Sequence, residues 1–351
     1  LYFEHFSCFF SLILGKNLYN LQMDYDAFLW FVIIPFTFYL IQKWCKKDNE
    51  LNISENRLDN KLVIVTGANS GIGYEVALDC AKRGASVILA CRNETLALEA
   101  QRKIIEMTGN RAIEFKTLDL ASFQSIHSFV DEVLKEEDSI YCLVNNAGLF
   151  WVPYMETKDG IESNFGVNHL GHFLLTMLLL PLLTKEKSRV VFVGSLMYMF
   201  GKIHFSDLNF VKRGYDFVAA YADSKLANIL TTRVLAKKLK QTSIKFYCAD
   251  PGIVATNIGK GSILMGSFLY NYILKPILQF FVFRTAKEGA LSVIYCVCSE
   301  EIAHDSGNFY TISGREKPWA AGRDDKAAEI LFNKSMELCK LSFASFSNFI
   351  E

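Results

Sequence analysis

Tyr221 and Lys225 are four residues apart, a spacing that puts both side chains on one face of a helix. A free phenol loses its proton at a pH of about 10, and a neighbouring positive charge favours the phenolate. The pair is therefore a candidate general acid and base for proton transfer. Because this spacing often arises by chance, the interpretation depends on Ser195, at the end of the preceding predicted strand, and on Asn168, in the predicted helix before it.

A glycine-rich turn, Thr66-Gly67-Ala68-Asn69-Ser70-Gly71-Ile72-Gly73, lies between a predicted strand and a predicted helix. Glycines allow a tight turn and a close approach of the backbone, so a pyrophosphate can bind the amides at the start of the helix. By itself such a turn is also compatible with an ordinary strand-to-helix loop. The candidate dinucleotide-binding residues in it are Gly67, Asn69, Ser70, Gly71, Ile72 and Gly73.

The second predicted strand ends at Cys91-Arg92, where dinucleotide-binding folds select their cofactor. An acid there accepts from the ribose of NAD, whereas an arginine pairs with the 2′-phosphate of NADP. The absence of an acid favours NADP(H), and the alternative is that Arg92 is a solvated loop residue. Asp119, after the third strand, is either an acceptor for the adenine amino group or the N-cap of the next helix.

Short β-branched runs alternate with longer helical patterns from Lys61 onward, which is typical of a parallel sheet covered by helices on both faces. The predicted strands are Leu62–Thr66, Ser86–Ala90, Ala112–Thr117, Ile140–Val144, Arg189–Val193, Ile244–Cys248 and Gly307–Thr311. The predicted helices lie near 72–83, 94–108, 122–137, 157–184, 217–240 and 285–299. We therefore expect an α/β fold, a doubly wound seven-stranded parallel sheet of the Rossmann type, in one domain over 58–351.

The composition excludes some classes of protein. Of 351 residues 51% are apolar, which is too many for a disordered chain, and 37 basic residues balance 37 acidic ones. A formal charge of zero argues against nucleic acid as a partner. The nine cysteines are odd in number and lack a C-x-x-C pair, so we interpret them as reduced core thiols, with neither a disulfide framework nor a zinc site.

Residues 23–57 are predicted to form a hydrophobic anchor and linker. Residues 27–41 are uncharged, and with their flanking aromatic residues they reach the roughly 30 Å needed to span a bilayer. Lysines follow this stretch at 43, 46 and 47, which predicts that the downstream domain faces the cytosol. An interfacial helix and a cleaved signal peptide are the alternatives. Because Met23 opens the segment, residues 1–22 are predicted to be an upstream extension.

Several motifs together resemble the short-chain dehydrogenase/reductase family over residues 58–340. They are TGANSGIG at 66–73, NNAG at 145–148, Asn168 in VNHLGHF, Ser195, Tyr221-x-x-x-Lys225, and Pro251-Gly252 followed by Thr256. Within the family the chain most resembles the membrane-associated retinol dehydrogenase branch, through ACRN at 90–93, VNHLGHF and GKIHFSDLNF. The resemblance implies a membrane location, in the endoplasmic reticulum or a related membrane.

The resemblance also implies roles for individual residues. Tyr221 would be the general acid and base, Lys225 would lower its pKa and bind the nicotinamide ribose, Ser195 would hold the substrate oxygen, and Asn168 would support a water relay to Lys225. No metal is needed for this chemistry. The remaining cofactor-binding residues implied are Asp119, Leu120, Asn145, Ala147, Gly148, Pro251, Gly252 and Thr256, with Thr256 bonding the carboxamide.

Two departures from the branch stand near the site. Gly194 replaces a frequent serine, and Asp250 replaces a usual histidine before Pro251; neither is expected to touch the four catalytic candidates. His169 and His172 flank Asn168, and without a third ligand at a suitable spacing we expect them to pack between helices rather than to bind a metal.

The sequence at 259–284 is apolar, with Lys275 as the only charge between 262 and 283, and its position resembles the family's substrate-binding loop. We expect an apolar lid rather than a second membrane span, because Asn271, Lys275, Pro276 and Gln279 interrupt it. The leading hypothesis is an NADP(H)-dependent oxidoreductase for a lipophilic alcohol, aldehyde or ketone. A membrane-tethered, non-catalytic nucleotide-binding or scaffold protein of the same fold is the alternative, and the sequence is compatible with a homo-oligomer.

Overall fold

Buried runs of apolar residues form the central sheet in the computed structural model, which describes residues 51, 53–254 and 284–342. The strands are β1 (Leu62–Thr66), β2 (Ser86–Cys91), β3 (Ile113–Thr117), β4 (Cys142–Asn145), β5 (Arg189–Val193), β6 (Lys245–Ala249), β7 (Asn308–Thr311) and β8 (Gly314–Glu316). Their order in the sheet is β3-β2-β1-β4-β5-β6-β7-β8. β1 to β7 pair in parallel, so the seven predicted strands and the doubly wound fold are confirmed.

β8 was not predicted. It pairs with β7 in an antiparallel hairpin at the end of the sheet. It has only three residues, two of them exposed, so it lacks the buried apolar run that identifies most of the other strands in the sequence.

The helices follow the strands in alternation. They are α1 (Gly71–Lys82), α2 (Glu94–Thr108), α3 (Phe123–Glu136), α4 (Ser163–Phe165), α5 (Gly171–Leu178), α6 (Leu180–Leu183), α7 (Phe217–Lys238), α8 (Ala286–Cys298) and α9 (Asp325–Leu338). The predicted helix at 157–184 begins later than expected and is divided into α4, a π-helical turn at Gly166–Leu170, α5 and α6. The sequence prediction also missed α9, although Asp324 caps it by accepting a hydrogen bond from the Ala327 amide.

Each face of the sheet contributes to one hydrophobic cluster. On one face Ile64, Leu143 and Phe192 pack with residues of α3, α5, α7 and α9. On the other face Val63, Val65 and Val191 pack with residues of α1, α2 and α8. Because neighbouring strand residues point to opposite faces, a strand that is buried on both sides reads as a continuous apolar run.

The predicted core positions of the cysteines and of the two histidines are confirmed. The seven cysteines among the described residues are buried free thiols: Cys80, Cys91, Cys142, Cys248, Cys296, Cys298 and Cys339. His169 and His172 are fully buried in the helical layer. Nε2 of His169 lies 3.0 Å from Oγ of Ser335, a hydrogen bond that links the π-helical turn to α9. Burial lowers the pKa of each imidazole to about 3, so both are neutral at physiological pH.

Three expectations lie outside the described residues: the anchor at 27–41, Thr256, and the lid at 259–284 apart from Arg284. Among the helices that the structure describes, none combines the length and the apolar character required to cross a bilayer.

Candidate active site

The carboxyl ends of the parallel strands bring the predicted site residues to one edge of the sheet. The order of the strands reverses between β1 and β4, and ligands of open α/β sheets bind at such a point. The turn after β1 and the NNAG segment after β4 therefore lie side by side. A Cβ atom at Gly67 would lie 3.0 Å from both Cα and Cβ of Ala147, which shows how closely the two segments pack.

The glycine-rich turn has the backbone expected of a pyrophosphate site. Gly67 and Gly71 have φ angles of 65° and 60°, in the left-handed region that glycine tolerates. Gly73 must be glycine because a Cβ atom there would lie 2.6 Å from the Gly67 carbonyl oxygen. Ser70 is the N-cap of α1 but makes no side-chain capping hydrogen bond, so the first amides of α1 are available to an anion.

Thr66 is a connecting residue that the sequence analysis did not assign. Its hydroxyl accepts hydrogen bonds from the amides of Asn146 (2.8 Å) and Ala147 (2.9 Å), and it lies 2.9 Å from Nε2 of His172. The Asn146 side chain donates in return to the Thr66 carbonyl at 2.8 Å. These bonds fasten the NNAG segment to β1. The sequence feature that could have indicated this role is the threonine directly before Gly67.

Cys91 and Arg92, the residues proposed to determine the choice between NAD and NADP, lie at the end of β2. Cys91 is 2% exposed, and burial raises the pKa of its thiol to about 11, whereas Arg92 is exposed at the start of the connection to α2. A cavity of about 360 Å³ opens beside the glycine-rich turn. Its lining residues are Asn69, Ser70, Gly71, Tyr74, Leu96, Glu99, Ala100 and Lys103. This cavity borders the open start of α1, and Lys103 is a lining residue that the sequence analysis missed.

Asp119 does not cap the helix that follows it. The N-cap of α3 is Ser122, whose side chain accepts from the Ser125 amide, so the capping alternative was wrong. Asp119 instead accepts from the Ala121 amide at 3.1 Å, in a local turn after β3. Leu120 is buried in the core beneath this turn, which leaves Asp119 as the polar group at the edge.

The catalytic candidates on α7 are buried. Tyr221 is 9% exposed and Lys225 is 3% exposed, and the Lys225 ammonium donates to the Val193 carbonyl at the end of β5 at 2.9 Å. Ser195 follows two residues later, near enough to the Tyr221 hydroxyl to affect its pKa. Helix α7 and the end of β5 therefore bring Tyr221, Lys225 and Ser195 together, as the motif spacing predicts.

The pKa values of the pair differ from the sequence-based expectation. Burial raises the pKa of Tyr221 to about 12, and the nearby Ser195 hydroxyl acts in the opposite direction. Burial lowers the pKa of Lys225 to about 8. In the protein alone Lys225 does not lower the Tyr221 pKa, because its ammonium donates to Val193 and lies 5.5 Å from the centroid of the phenol ring. The lowering expected beside an oxidised nicotinamide stays a prediction.

Asn168 lies in the π-helical turn between α4 and α5, a rare element often found at functional sites. Its Oδ1 accepts from the Leu149 amide at 2.7 Å, and its Nδ2 donates to the Leu149 carbonyl and to Oγ of Ser224, each at 3.0 Å. Ser224 in turn donates to the Tyr221 carbonyl at 2.7 Å. Asn168 thus joins the segment after NNAG to the catalytic helix; the water relay to Lys225 stays a prediction.

The remaining cofactor candidates divide between the core and the edge. Asn145 is 1% exposed and its amide donates to Thr176, so it joins β4 to α5, while Ala147 and Gly148 are half-buried at the edge. Pro251 is buried after β6, and Gly252 follows with a φ angle of 72°.

Gly194 and Asp250, the two departures from the branch, are both closely packed. A Cβ atom at Gly194 would lie 2.9 Å from Sγ of Cys248, so a serine there would require a rearrangement. Asp250 is buried and accepts from the Gly252 amide at 2.9 Å, and burial raises its pKa to about 6. Although it makes no described hydrogen bond with the catalytic side chains, its charge raises the pKa of both Tyr221 and Lys225.

Comparisons with known proteins agree with this geometry. Residues 61–263 match the family model of the short chain dehydrogenases. The chain is 40% identical to mouse retinol dehydrogenase 11 over 322 residues, which cover 90% of this chain and 98% of the relative. It is 41% identical to human retinol dehydrogenase 12 over 283 residues, 80% of this chain and 87% of the relative. A crystal structure of an uncharacterized protein from Mycobacterium paratuberculosis superposes with a TM-score of 0.66 at 33% identity, covering 82% and 96% of the two chains.

The fold and the site thus define an oxidoreductase, and the chain belongs to the short-chain dehydrogenase family. Within that family it is a member of the retinol dehydrogenase branch, as its similarity to several retinol dehydrogenases shows. The family uses a nicotinamide cofactor, so the resemblance seen in the motifs is confirmed at the level of family and branch.

Proposed function

We propose that this protein is an NADP(H)-dependent oxidoreductase that interconverts a lipophilic alcohol with its aldehyde or ketone. The observation that carries the proposal is that Tyr221, Lys225 and Ser195 lie together at the carboxyl end of β5, on the same edge of the parallel sheet as the glycine-rich turn. A proton donor and an oxygen-binding hydroxyl next to a dinucleotide site are the groups that carbonyl reduction requires.

In the direction of reduction, the carbonyl carbon would accept a hydride that a nicotinamide would supply when bound. Ser195 holds the carbonyl oxygen by a hydrogen bond, and Tyr221 gives its proton to that oxygen as the alcohol forms. Lys225, an ammonium at neutral pH because its pKa is about 8, holds the ribose and stabilises the tyrosinate that remains. Oxidation of an alcohol follows the same steps in reverse.

The preference for NADP(H) rests on Arg92. It is exposed directly after β2, where Cys91 leaves the site without the acid that would repel a 2′-phosphate. The cofactor residues proposed are those of the glycine-rich turn together with Arg92, Asp119, Ala147, Gly148, Gly252 and Thr256.

A lipophilic substrate and a membrane location complete the proposal. The relatives named above are retinol dehydrogenases, which supports a retinoid, a steroid or a long-chain carbonyl as substrate. The apolar composition of residues 27–41 and 259–284 supports a membrane anchor and an apolar cover for the substrate. The anchor would hold the catalytic domain on the cytosolic side of the endoplasmic reticulum or a related membrane.

The test is NADPH oxidation by the full chain with aldehydes from butanal to decanal, with a retinal, and with a steroid ketone. Transferring a methylene from water to an apolar site contributes about 0.8 kcal/mol, so kcat/KM should rise with chain length. Activity that is flat or falls along the series, or that is as high with a charged carbonyl, would contradict a lipophilic substrate.

A further inference from the structure

Three aromatic rings form a row that begins at the catalytic phenol. The ring of Phe150 lies 4.5 Å from that of Tyr221, between centroids, and Trp151 lies 5.4 Å from Phe150 with its ring edge-on. Trp151 in turn stacks on Phe217, at 5.0 Å and an interplanar angle of 23°. Phe150, Trp151 and Phe217 are called the aromatic row below.

The backbone that carries two of these rings is held in an unusual conformation. Trp151 has a φ angle of 59°, which is uncommon for a bulky aromatic residue and persists only when the surroundings enforce it. On one side, Leu149 is bonded through both its amide and its carbonyl to the side chain of Asn168. On the other side, the Tyr215 hydroxyl donates to the Val152 carbonyl at 2.9 Å. The segment is thus fixed at both ends, which sets the direction of the two rings.

Tyr215 is itself supported from the interior. Its hydroxyl accepts from Nδ2 of Asn164 at 3.1 Å, and the same Nδ2 donates to Oε1 of Glu162 at 2.9 Å. Glu162 and Asn164 are fully buried. The hydrogen bonds that hold the aromatic row therefore extend to the buried residues at the start of α4.

The aromatic row does not fill the core. Phe150, Trp151 and Phe217 are half-buried, whereas the core rings of Phe173 and Phe192 are fully buried. A segment that keeps half-buried rings in a left-handed conformation beside a proton donor has the character of a binding surface rather than of interior packing.

We propose that the aromatic row is the wall against which the apolar part of the substrate packs while its carbonyl group reaches Tyr221 and Ser195. This inference rests on the proposed function and identifies the residues that determine its specificity. Ring faces favour flat, conjugated groups beyond the area that they bury. The aromatic row should therefore bind a conjugated carbonyl more tightly than a saturated one. Removing its rings should weaken substrate binding.

The kinetic test compares Phe150→Leu with Phe150→Tyr in the full chain, with NADPH and either cinnamaldehyde or decanal. Phe150→Leu should raise KM for cinnamaldehyde by about 10-fold and for decanal by about 3-fold, since the ring contribution is lost and an apolar side chain remains. Phe150→Tyr keeps the ring and should restore KM to within about twofold, because stacking needs only the ring. The KM for NADPH should not change. Leu134→Ala, an exposed apolar truncation on α3, is the control.

A binding measurement separates this inference from the proposed function. The dissociation constant of retinol, followed by its own fluorescence, should rise about 10-fold in Phe150→Leu and in Phe217→Leu, and it should be unchanged in Leu134→Ala. Unchanged retinol binding and an unchanged KM in both leucine variants would contradict the proposal that the aromatic row binds the substrate. Weakened binding together with no turnover of any carbonyl by the wild type would support the wall and overturn the proposed function. Phe217→Leu provides the test if Phe150→Leu does not fold.

Discussion

At the scale of single residues, burial acts on the two catalytic groups in the same physical way. It penalises the charged form of each, so it raises the pKa of Tyr221 and lowers that of Lys225. The Tyr221 hydroxyl therefore keeps its proton at neutral pH in the protein alone, which suits a group that donates a proton during carbonyl reduction.

Tyr221→Phe should lower kcat by about 10²–10⁴-fold, because it removes the hydroxyl that exchanges the proton. NADPH binding, measured by fluorescence, should stay close to that of the wild type. The matched control is Tyr247→Phe, which removes a buried hydroxyl that donates to the Ile302 carbonyl at 2.8 Å, away from the predicted site residues. A rate above a tenth of the wild-type rate in Tyr221→Phe would exclude Tyr221 as the acid and base.

Lys225 should make stability depend on pH. Its pKa falls from 10.5 to about 8 on folding, so between these values the unfolded chain binds more protons and stability rises with pH. The shift corresponds to about 3 kcal/mol, a cost that is fully present below pH 8. The free energy of unfolding of the wild type relative to Lys225→Met should therefore rise from pH 8 to 10. Cys248 and Asp250 are the acidic groups that favour the ammonium.

The control for this pH dependence is Lys237→Met. Lys237 lies on the same helix but is exposed. Its removal should leave the pH profile of unfolding unchanged. If the difference in free energy of unfolding between the wild type and Lys225→Met did not change from pH 8 to 10, burial of the Lys225 ammonium would not destabilise the fold.

Arg92→Ala should lower kcat/KM with NADPH by about 10- to 150-fold, the value of one charge-assisted hydrogen bond of 1.5–3 kcal/mol. Activity with NADH should change little, since NADH lacks the 2′-phosphate. Arg111→Ala is the control, because Arg111 is exposed before β3, at the amino edge of the same sheet. Equal use of both cofactors by the wild type would contradict the assignment of Arg92.

At the scale of elements, the connection at 201–216 is held to the catalytic helix by a buried carboxylate. Asp223 of α7 accepts from the Lys202 amide at 2.7 Å and from Nη2 of Arg213 at 2.9 Å. Its side chain is 6% exposed, whereas that of Arg213 is 23% exposed. Since the connection follows the short 3₁₀ helix at Leu196–Phe200, this ion pair also steadies the segment that begins at Ser195.

Arg213→Ala should lower the free energy of unfolding in urea by about 2–3 kcal/mol, because it leaves a buried carboxylate without its cationic partner. The same truncation at Arg57, whose ion pair with Asp59 has side chains 64% and 53% exposed, should cost clearly less, because solvent screens an exposed pair. Similar losses in the two variants would mean that the Asp223 pair contributes no more than a surface pair.

At the scale of the whole molecule, the lysines after residue 41 predict that the catalytic domain faces the cytosol. Protease added to sealed microsomes should then digest the domain, and the exposed sequons at Asn93 and Asn333 should carry no glycan. Asn93 caps α2 next to Arg92, so a glycan there would stand beside the proposed 2′-phosphate site. Protection from protease, or a glycan on either asparagine, would place the domain in the lumen.

The fold class and the candidate catalytic pair could both be predicted from the amino-acid sequence. Most of the strands could be predicted because they are buried apolar runs, as β1 and β4 are, and the glycine-rich turn because Gly67 and Gly71 need conformations that glycine favours. These are local properties, since they depend on residues that are adjacent in the chain. The Tyr221–Lys225 pair was also found from a local property, because residues four apart lie on one face of a helix.

The surroundings of those residues depend on contacts that form only when the chain folds. The Thr66 hydroxyl beneath the NNAG segment, the bond from Lys225 to Val193, and the aromatic row beside Tyr221 all join residues that are distant in the sequence. The pKa shifts of Tyr221 and Lys225 belong to this group, because desolvation depends on everything packed around a side chain rather than on its neighbours along the helix. Spacing could therefore identify the catalytic pair, while its protonation and the wall beside it required the folded chain.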